Sequence, residues 1–382
     1  MKKIFVHFLA AGVIGLAGLA HAQVEYVDPA MGGQGFMLEP IRPTVSIPNS
    51  MVRVYPVRRD QLDDQISSFP LTIVSHRLGE LFWLMPGDGS PTAGNPQAYD
   101  QKVETPYYYS TRFDDSLIQT EFTPTAQCGY FRFTFPSGKP IVLLANRRGG
   151  ELAADGENAV SGSERIVSES DISPGVMHAY VYGEFNAPVK IESGDTENGK
   201  RLTISGKSDQ KVLEFRYGIS FISVEQAKKN LQREISKWNF NKIKRDAKDR
   251  WNDALGQIQV EGGTPEQKRV FYTSLYRCYE RMINITEDGR YYSAFDHEVH
   301  QDARPFYVDN WLWDTYRALE PLQTLLNPEM EADKLQSFVR MYEQSGWMPT
   351  FAVLWGNHEC MTGNPIAPWV ADAWAKGITI LI

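Results

Sequence analysis

The sequence predicts a multidomain α+β protein, an N-terminal β-sandwich followed by helical hairpins. Three observations carry this. From Val24 to about Phe221, runs rich in Val, Ile, Tyr, Phe and Thr are cut at short spacing by Gly, Pro, Asn and Asp clusters, the pattern of a sandwich. At Ser223 the apolar period becomes helical, through Val224, Ala227, Leu231, Ile235 and Trp238 and then Ile243, Ala247, Trp251 and Leu255. Beyond them, Thr264-Pro265-Glu266-Gln267 offers an N-cap Thr, Pro at N1 and Gln at N3, a capping box that opens a further helix.

Taken in order, residues 1–22 read as a secretory signal peptide. Lys2 and Lys3 supply the positive start, Ile4 to Leu19 the apolar stretch, and Ala20-His21-Ala22 a cleavage site with the cut after Ala22. The apolar stretch is shorter than the ~20 residues of a membrane span, which points to a periplasmic or secreted protein. Residues 23–222 form the sandwich, with strands expected at Met51–Val57, Leu117–Thr123, Gly129–Phe135, Ile141–Ala145, Val176–Phe185, Lys190–Ser193 and Val212–Ile222. Residues 223–263 are linker helices whose lysines and arginines make a solvated face, closing with a short strand over Gln257–Val260. From 264 to 382 come helical hairpins. One helix continues to Met282. Another runs from Asn310 to about Leu326 with a kink at Pro321. A third starts at Asn327-Pro328 and ends at Gly346, and a fourth covers Val370 to Lys376.

The net charge of −8 argues against nucleic acid or another polyanion as partner. Cys128, Cys278 and Cys360 are too few and too widely spaced for a disulfide framework, and no C-x-x-C pair exists. We expect free, mostly buried thiols. His297 and His300, with Asp296 and Glu298, match no compact zinc spacing and read as a surface polar cluster on a loop.

Chemistry concentrates between Asn310 and Gly377, where Trp311, Trp313, Trp347, Trp355, Trp369 and Trp374 alternate with Asp314, Asn357, His358, Glu359 and Asp372. Indole faces stack on sugar rings while fixed polar groups hold hydroxyls, so a carbohydrate site is one reading. A Trp-rich helical core with polar caps is the other. Asp314 is either a sugar contact flanked by Trp313 or a helix-start carboxylate. Asn357 after Gly356 is either a ligand or a turn former. Glu359 beside His358 is either an acid or a hydrogen-bonding group.

An ordered series of motifs gives the chain a family resemblance. Tyr26-Val27-Asp28-Pro29, Pro106-Tyr107-Tyr108-Tyr109-Ser110, Gly129-Tyr130-Phe131-Arg132-Phe133, Gly218-Ile219-Ser220-Phe221, Trp313-Asp314-Thr315-Tyr316-Arg317 and Gly356-Asn357 together resemble glycoside hydrolase family 92, the calcium-dependent exo-acting α-mannosidases. The resemblance implies a β-sandwich followed by an (α/α)6 toroid of helical hairpins, here incomplete. It also implies inverting hydrolysis that releases non-reducing-end mannose from glycans, with a Ca2+ ion helping to hold the sugar.

By that resemblance Trp313 and Asp314 grip mannose, joined as substrate-binding candidates by Asn357, His358 and Glu359. His76 matches a family histidine, with the following loop shortened to Arg77-Leu78-Gly79-Glu80. The family's acid, base and most calcium ligands fall beyond the matched segments. Glu359 is therefore the one catalytic candidate, and no metal ligand is assigned. The closing Gly377-Ile378-Thr379-Ile380-Leu381-Ile382 is apolar and has no partner helix in the sequence. The expectation is accordingly an early stop and negligible turnover alone, with a non-catalytic mannose-binding fragment as the alternative.

Overall fold

The computed structural model describes residues 23–32, 42–58, 62–75, 79–89, 94–168 and 174–379. The signal peptide, His76, Arg77 and Leu78 lie outside the described residues.

Two antiparallel sheets form the N-terminal part. In the larger, the strands run spatially Gln65–Ile66, Gln97–Thr105, Tyr108–Phe113, Gln119–Pro124, Cys128–Thr134, Val212–Ser220, Gly175–Phe185, Ala159–Ser168 and Gly150–Ala154. The smaller orders Lys190–Thr196, Gly199–Ser205, Ile141–Ala145 and Trp83–Gly87. Alternation along Val212–Ser220 shows why a sandwich forms. Leu213, Phe215, Tyr217 and Ile219 are buried while Val212 is exposed and Glu214 and Arg216 are half-buried, so one face packs inward. Phe131 stacks on Phe133 and on Tyr217, and Phe185 on Phe215.

Two glycines allow close approach within this packing. A Cβ on Gly129 would lie 2.3 Å from the Tyr217 hydroxyl, which donates to the Leu71 carbonyl at 2.7 Å. A Cβ on Gly218 would lie 2.2 Å from the Ala227 carbonyl, so Gly218 lets the first helix lie directly on the sheet.

That helix, α1 (Val224–Glu234), is capped by Ser223, whose hydroxyl accepts from the Gln226 amide. α2 (Phe240–Leu255) buries Phe240, Ile243, Ala247, Trp251 and Leu255, and the Trp251 indole donates to the Ser46 carbonyl at 2.7 Å. α3 (Pro265–Arg277) carries the full capping box. It ends at Arg277, short of Met282, with Cys278 as its cap, and Ile283–Asn284 then pairs with Tyr307–Val308. Next come α4 (Leu312–Thr315), α5 (Leu319–Leu326), α6 (Pro328–Ser345) and α7 (Ile366–Ala375).

Several expectations need correction. Met51–Val57 makes isolated bridges and no continuous strand, and 257–260 is turn and coil. The helix expected over 310–326 is broken at 316–318, ahead of Pro321. Pro321 falls in the first turn of α5, where no intrahelical acceptor awaits its missing N–H. The His297 and His300 segment is a hairpin, Arg290–Ser293 with Glu298–Gln301. Gly346 is the left-handed cap of α6 at φ 77°, as its sequence position implies. Cys128, Cys278 and Cys360 are free, the first buried and the others half-buried.

Candidate functional site

Asp309 joins the sandwich to the helical part. It is fully buried with φ 66°, a backbone state that Asp tolerates better than most residues. Its Oδ2 accepts from Arg53 Nη1 at 2.6 Å, and its Oδ1 accepts from the Ser75 hydroxyl. Arg53 is itself buried. Ser75 follows the strand Thr72–Ile73, which pairs with Glu80–Leu81. The tip of a sandwich hairpin is thereby fastened to the start of the Trp311–Asp314 segment by a desolvated ion pair.

The next residue organises the other side. The Asn310 backbone N–H donates to the Ala352 carbonyl at 2.9 Å. Its side-chain amide donates to Glu320 Oε1 at 3.1 Å, and its carbonyl accepts from the Thr315 hydroxyl at 3.2 Å. One asparagine therefore links α4, α5 and the hairpin Ala352–Val353/Gly356–Asn357. Trp311 packs against Phe351 at 5.7 Å, with the Arg281 guanidinium 4.3 Å over its ring. Leu312 is buried and anchors α4, which leaves Trp313 and Asp314 exposed at its surface.

In the facing hairpin, Asn357 is buried and its Oδ1 accepts from the Thr350 and Phe351 amides at 3.0 and 3.2 Å, as a turn-forming asparagine does. The His358 amide donates to the Phe351 carbonyl at 2.9 Å, and its ring meets Trp355 edge-on at 6.2 Å. Glu359 is exposed. The two candidate groups, Trp313 with Asp314 and Asn357 with His358 and Glu359, thus sit on neighbouring segments that share Phe351 and Ala352. The tryptophans divide: Trp369 and Trp355 are buried, while Trp313, Trp347 and Trp374 are exposed.

Sequence reasoning missed a buried charge cluster behind this turn. Lys334 Nζ lies 3.3 Å from Glu331 Oε2 and 4.0 Å from Glu320 Oε2, all three side chains being sealed from solvent. Glu331 Oε1 accepts from the Trp369 indole at 2.7 Å. Burial pushes the Glu331 carboxyl up to about 8, the nearby Lys334 opposing and Glu320 adding to the rise. Burial works against the Lys334 ammonium, but Glu331 and Glu320 outweigh it and hold its pKa above the ordinary lysine value. Spacing offered one hint: Glu331 and Lys334 are three apart on a helix. Nothing in the sequence showed that both face inward.

Residues 26–227 match the glycosyl hydrolase family 92 N-terminal domain, and residues 226–381 match that family's catalytic domain. The chain belongs to glycoside hydrolase family 92. Among solved family 92 structures, an inverting mannosidase from Bacteroides thetaiotaomicron VPI-5482 is 30% identical. It superposes with a TM-score of 0.86 over 94% of this chain and 54% of its own. A second α-mannosidase of Bacteroides thetaiotaomicron, solved with mannoimidazole, is 20% identical with a TM-score of 0.84 over 94% of this chain and 54% of its own. At that identity it speaks for the fold alone. An uncharacterized secreted glycosidase of Arthroderma benhamiae is 26% identical over 168 residues, 43% of this chain and 18% of that one. This family 92 chain thus spans about half the length of the solved relatives it matches. Among its described residues no group of three or more His, Cys, Asp or Glu could hold a metal ion.

Proposed function

We propose that this chain carries the sugar-gripping elements of an α-mannosidase-type glycosidase that releases non-reducing-end mannose from glycans. Support comes from the family assignment and from the 30% identical relative, whose structure is that of an inverting mannosidase. The observation that carries the reading is the Arg53–Asp309–Ser75 junction. It holds a sandwich hairpin against the turn bearing Trp313 and Asp314, so a sugar at the junction meets both parts. The Trp313 ring offers a face for the apolar side of mannose. The exposed Asp314 carboxyl group accepts hydrogen bonds from two neighbouring hydroxyls.

Inversion by single displacement needs one carboxylic acid and one carboxylate separated by roughly 6.5–9.5 Å. Asp314 and Glu359 are the carboxyl groups among the candidates, and both are exposed. On this reading the described residues bind and orient, and supply no acid–base pair. Calcium dependence belongs to the proposal through the family resemblance. A second reading, glycan binding without hydrolysis by this chain, draws on the same exposed carboxylates. Export to the periplasm or medium completes the picture. No helix among the described residues is long and apolar enough to cross a membrane, and a mature N-terminus at Gln23 would be read by terminal sequencing.

Calorimetric titration with mannose, run beside an aryl α-mannoside assay with and without a chelator, tests this. We expect binding that weakens at least about tenfold in Asp314→Ala, one lost charge-assisted hydrogen bond being worth ~1.5 kcal/mol or more, and turnover at the blank. Failure of wild type to bind mannose overturns the site. Turnover above the blank that chelation abolishes overturns the claim that these residues lack the acid–base pair.

A further inference from the structure

We infer a second carbohydrate site, separate from Trp313 and Asp314, in a groove between the hairpin Arg290–Ser293/Glu298–Gln301 and helix α6. A cleft of about 660 Å³ opens there, within the ~300–1,000 Å³ range of small-molecule sites. Neither it nor the adjoining cleft of about 750 Å³, which shares its Asp302 and Arg304 wall, is lined by any residue of the candidate mannose site.

The groove is built rather than incidental. Arg340, nine-tenths buried, is fixed by Asp302 at 2.7 Å and by the Pro305 carbonyl at 3.3 Å. Gln344 is held from both ends, its amide donating to the Tyr291 hydroxyl at 3.0 Å and its carbonyl accepting from Ser293 at 2.8 Å. The His300 ring stacks on Tyr291 at 5.3 Å, which stacks on Phe306 at 3.9 Å, and His300 Nε2 is held by Asp296 Oδ2 at 2.8 Å.

Gln336 lines the same cleft, is about nine-tenths buried, and its Oε1 has no hydrogen-bond partner. Such an orphaned acceptor costs stability unless something donates to it. Its Oε1 is sealed from solvent in the observed rotamer, so a ligand hydroxyl donates to it once the side chain turns toward the cleft.

Charge selects the ligand class. Arg340 is paired with Asp302, Arg304 with Asp333 at 3.4 Å, and His300 with Asp296. The lining sets the carboxylates of Asp296, Asp302 and Glu343 against Arg304 and Arg340, a mixed charge that disfavours an anion while leaving planar polar groups in fixed orientations. That combination suits a neutral polyhydroxylated ligand, an oligosaccharide. The shared Asp302–Arg304 wall lets one extended chain lie across both clefts. This inference stands whether or not Trp313 and Asp314 bind mannose.

The test is titration of the whole chain with a soluble α-mannan oligosaccharide, followed by hydrogen exchange, in wild type, Gln336→Leu, Arg304→Ala and Asp314→Ala. Gln336→Leu removes an unpartnered acceptor at similar volume, so folding is retained. Binding with protection of residues 290–304 and 336–344 is expected. It should weaken about tenfold in Gln336→Leu and in Arg304→Ala and persist in Asp314→Ala. The inference is overturned if wild type does not bind, if loss occurs only in Asp314→Ala, or if a sulfated polysaccharide binds in place of the neutral one. Loss in Asp314→Ala alone would leave the mannose site standing and remove only this groove.

Discussion

Replacing Lys334 by Met isolates the most consequential buried charge in the helical part. The ammonium lies 3.3 Å from Glu331 and 4.0 Å from Glu320 in a sealed site. At an effective dielectric of ~20, Coulomb's law gives a fully ionised pair at these distances an attraction of roughly 4–5 kcal/mol, which the Glu331 pair reaches only above about pH 8, where its carboxyl is ionised. Methionine fills similar volume but leaves two carboxyls facing each other, so the loss approaches the ~3–5 kcal/mol typical of breaking a buried pair. Against a total stability of ~5–15 kcal/mol, that is a large fraction. Scanning calorimetry should show a fall in Tm of several °C, smaller per kcal/mol than the ~2–4 °C of a 150–250-residue chain because the unfolding entropy grows with length.

The same cluster sets a pH dependence. The Glu331 carboxyl is raised in the folded state to about 8 from its ordinary 4.5, so the folded protein holds this proton more tightly than the unfolded chain. Its contribution is therefore fully present below pH 4.5 and is lost as pH rises through about 8. Glu320→Gln removes one of the two negative charges while keeping an acceptor for Asn310, and should flatten the decline between about pH 4.5 and 8. A Lys334→Met variant within 1 kcal/mol of wild type, or an unchanged pH slope in Glu320→Gln, would refute the cluster as described.

Two further outcomes follow from the junction and the hairpin. Arg53→Met strands the buried Asp309 carboxylate and should cost ~3–5 kcal/mol, seen in denaturant melts and as faster proteolysis between the sandwich and the helical part. Asn357→Ala removes the acceptor for two amides and should cost about 2 kcal/mol, with exchange protection lost at Thr350 and Phe351. That variant also separates turn formation from sugar contact, because any effect on mannose binding should track the melted hairpin.

Much of the sandwich was legible because a half-buried strand writes its burial as alternation. Leu213, Phe215, Tyr217 and Ile219 are buried in one register, and a one-residue slip would expose all four. Strand Gln97–Thr105 was not legible. Its central residues 100–103 are exposed and it carries a register irregularity between Asp100 and Val103, so no alternation survived to be read. Capping residues were legible for a local reason: Thr264 and Gly346 act on their own helix ends. Breaks were not. The interruption at 316–318 comes where Asn310 ties α4 to Glu320 and to Ala352, the second a contact that no helix-length window of sequence contains.

The candidate site divides along the same line. Trp313 and Asp314 could be named because a tryptophan–carboxylate pair is chemically conspicuous where it stands. Arg53, Ser75 and Asp309 could not, since 256 positions separate Arg53 from Asp309 and each is unremarkable alone. Yet these residues hold the conspicuous pair in place. Asn310 also binds Glu320, and Glu320 faces Lys334. Stabilisation of the Trp313–Asp314 turn therefore reaches back to the buried cluster through two contacts. A substitution at Lys334, which is sealed from solvent, should then weaken mannose binding as well as folding, whereas one at the exposed Trp374 should do neither.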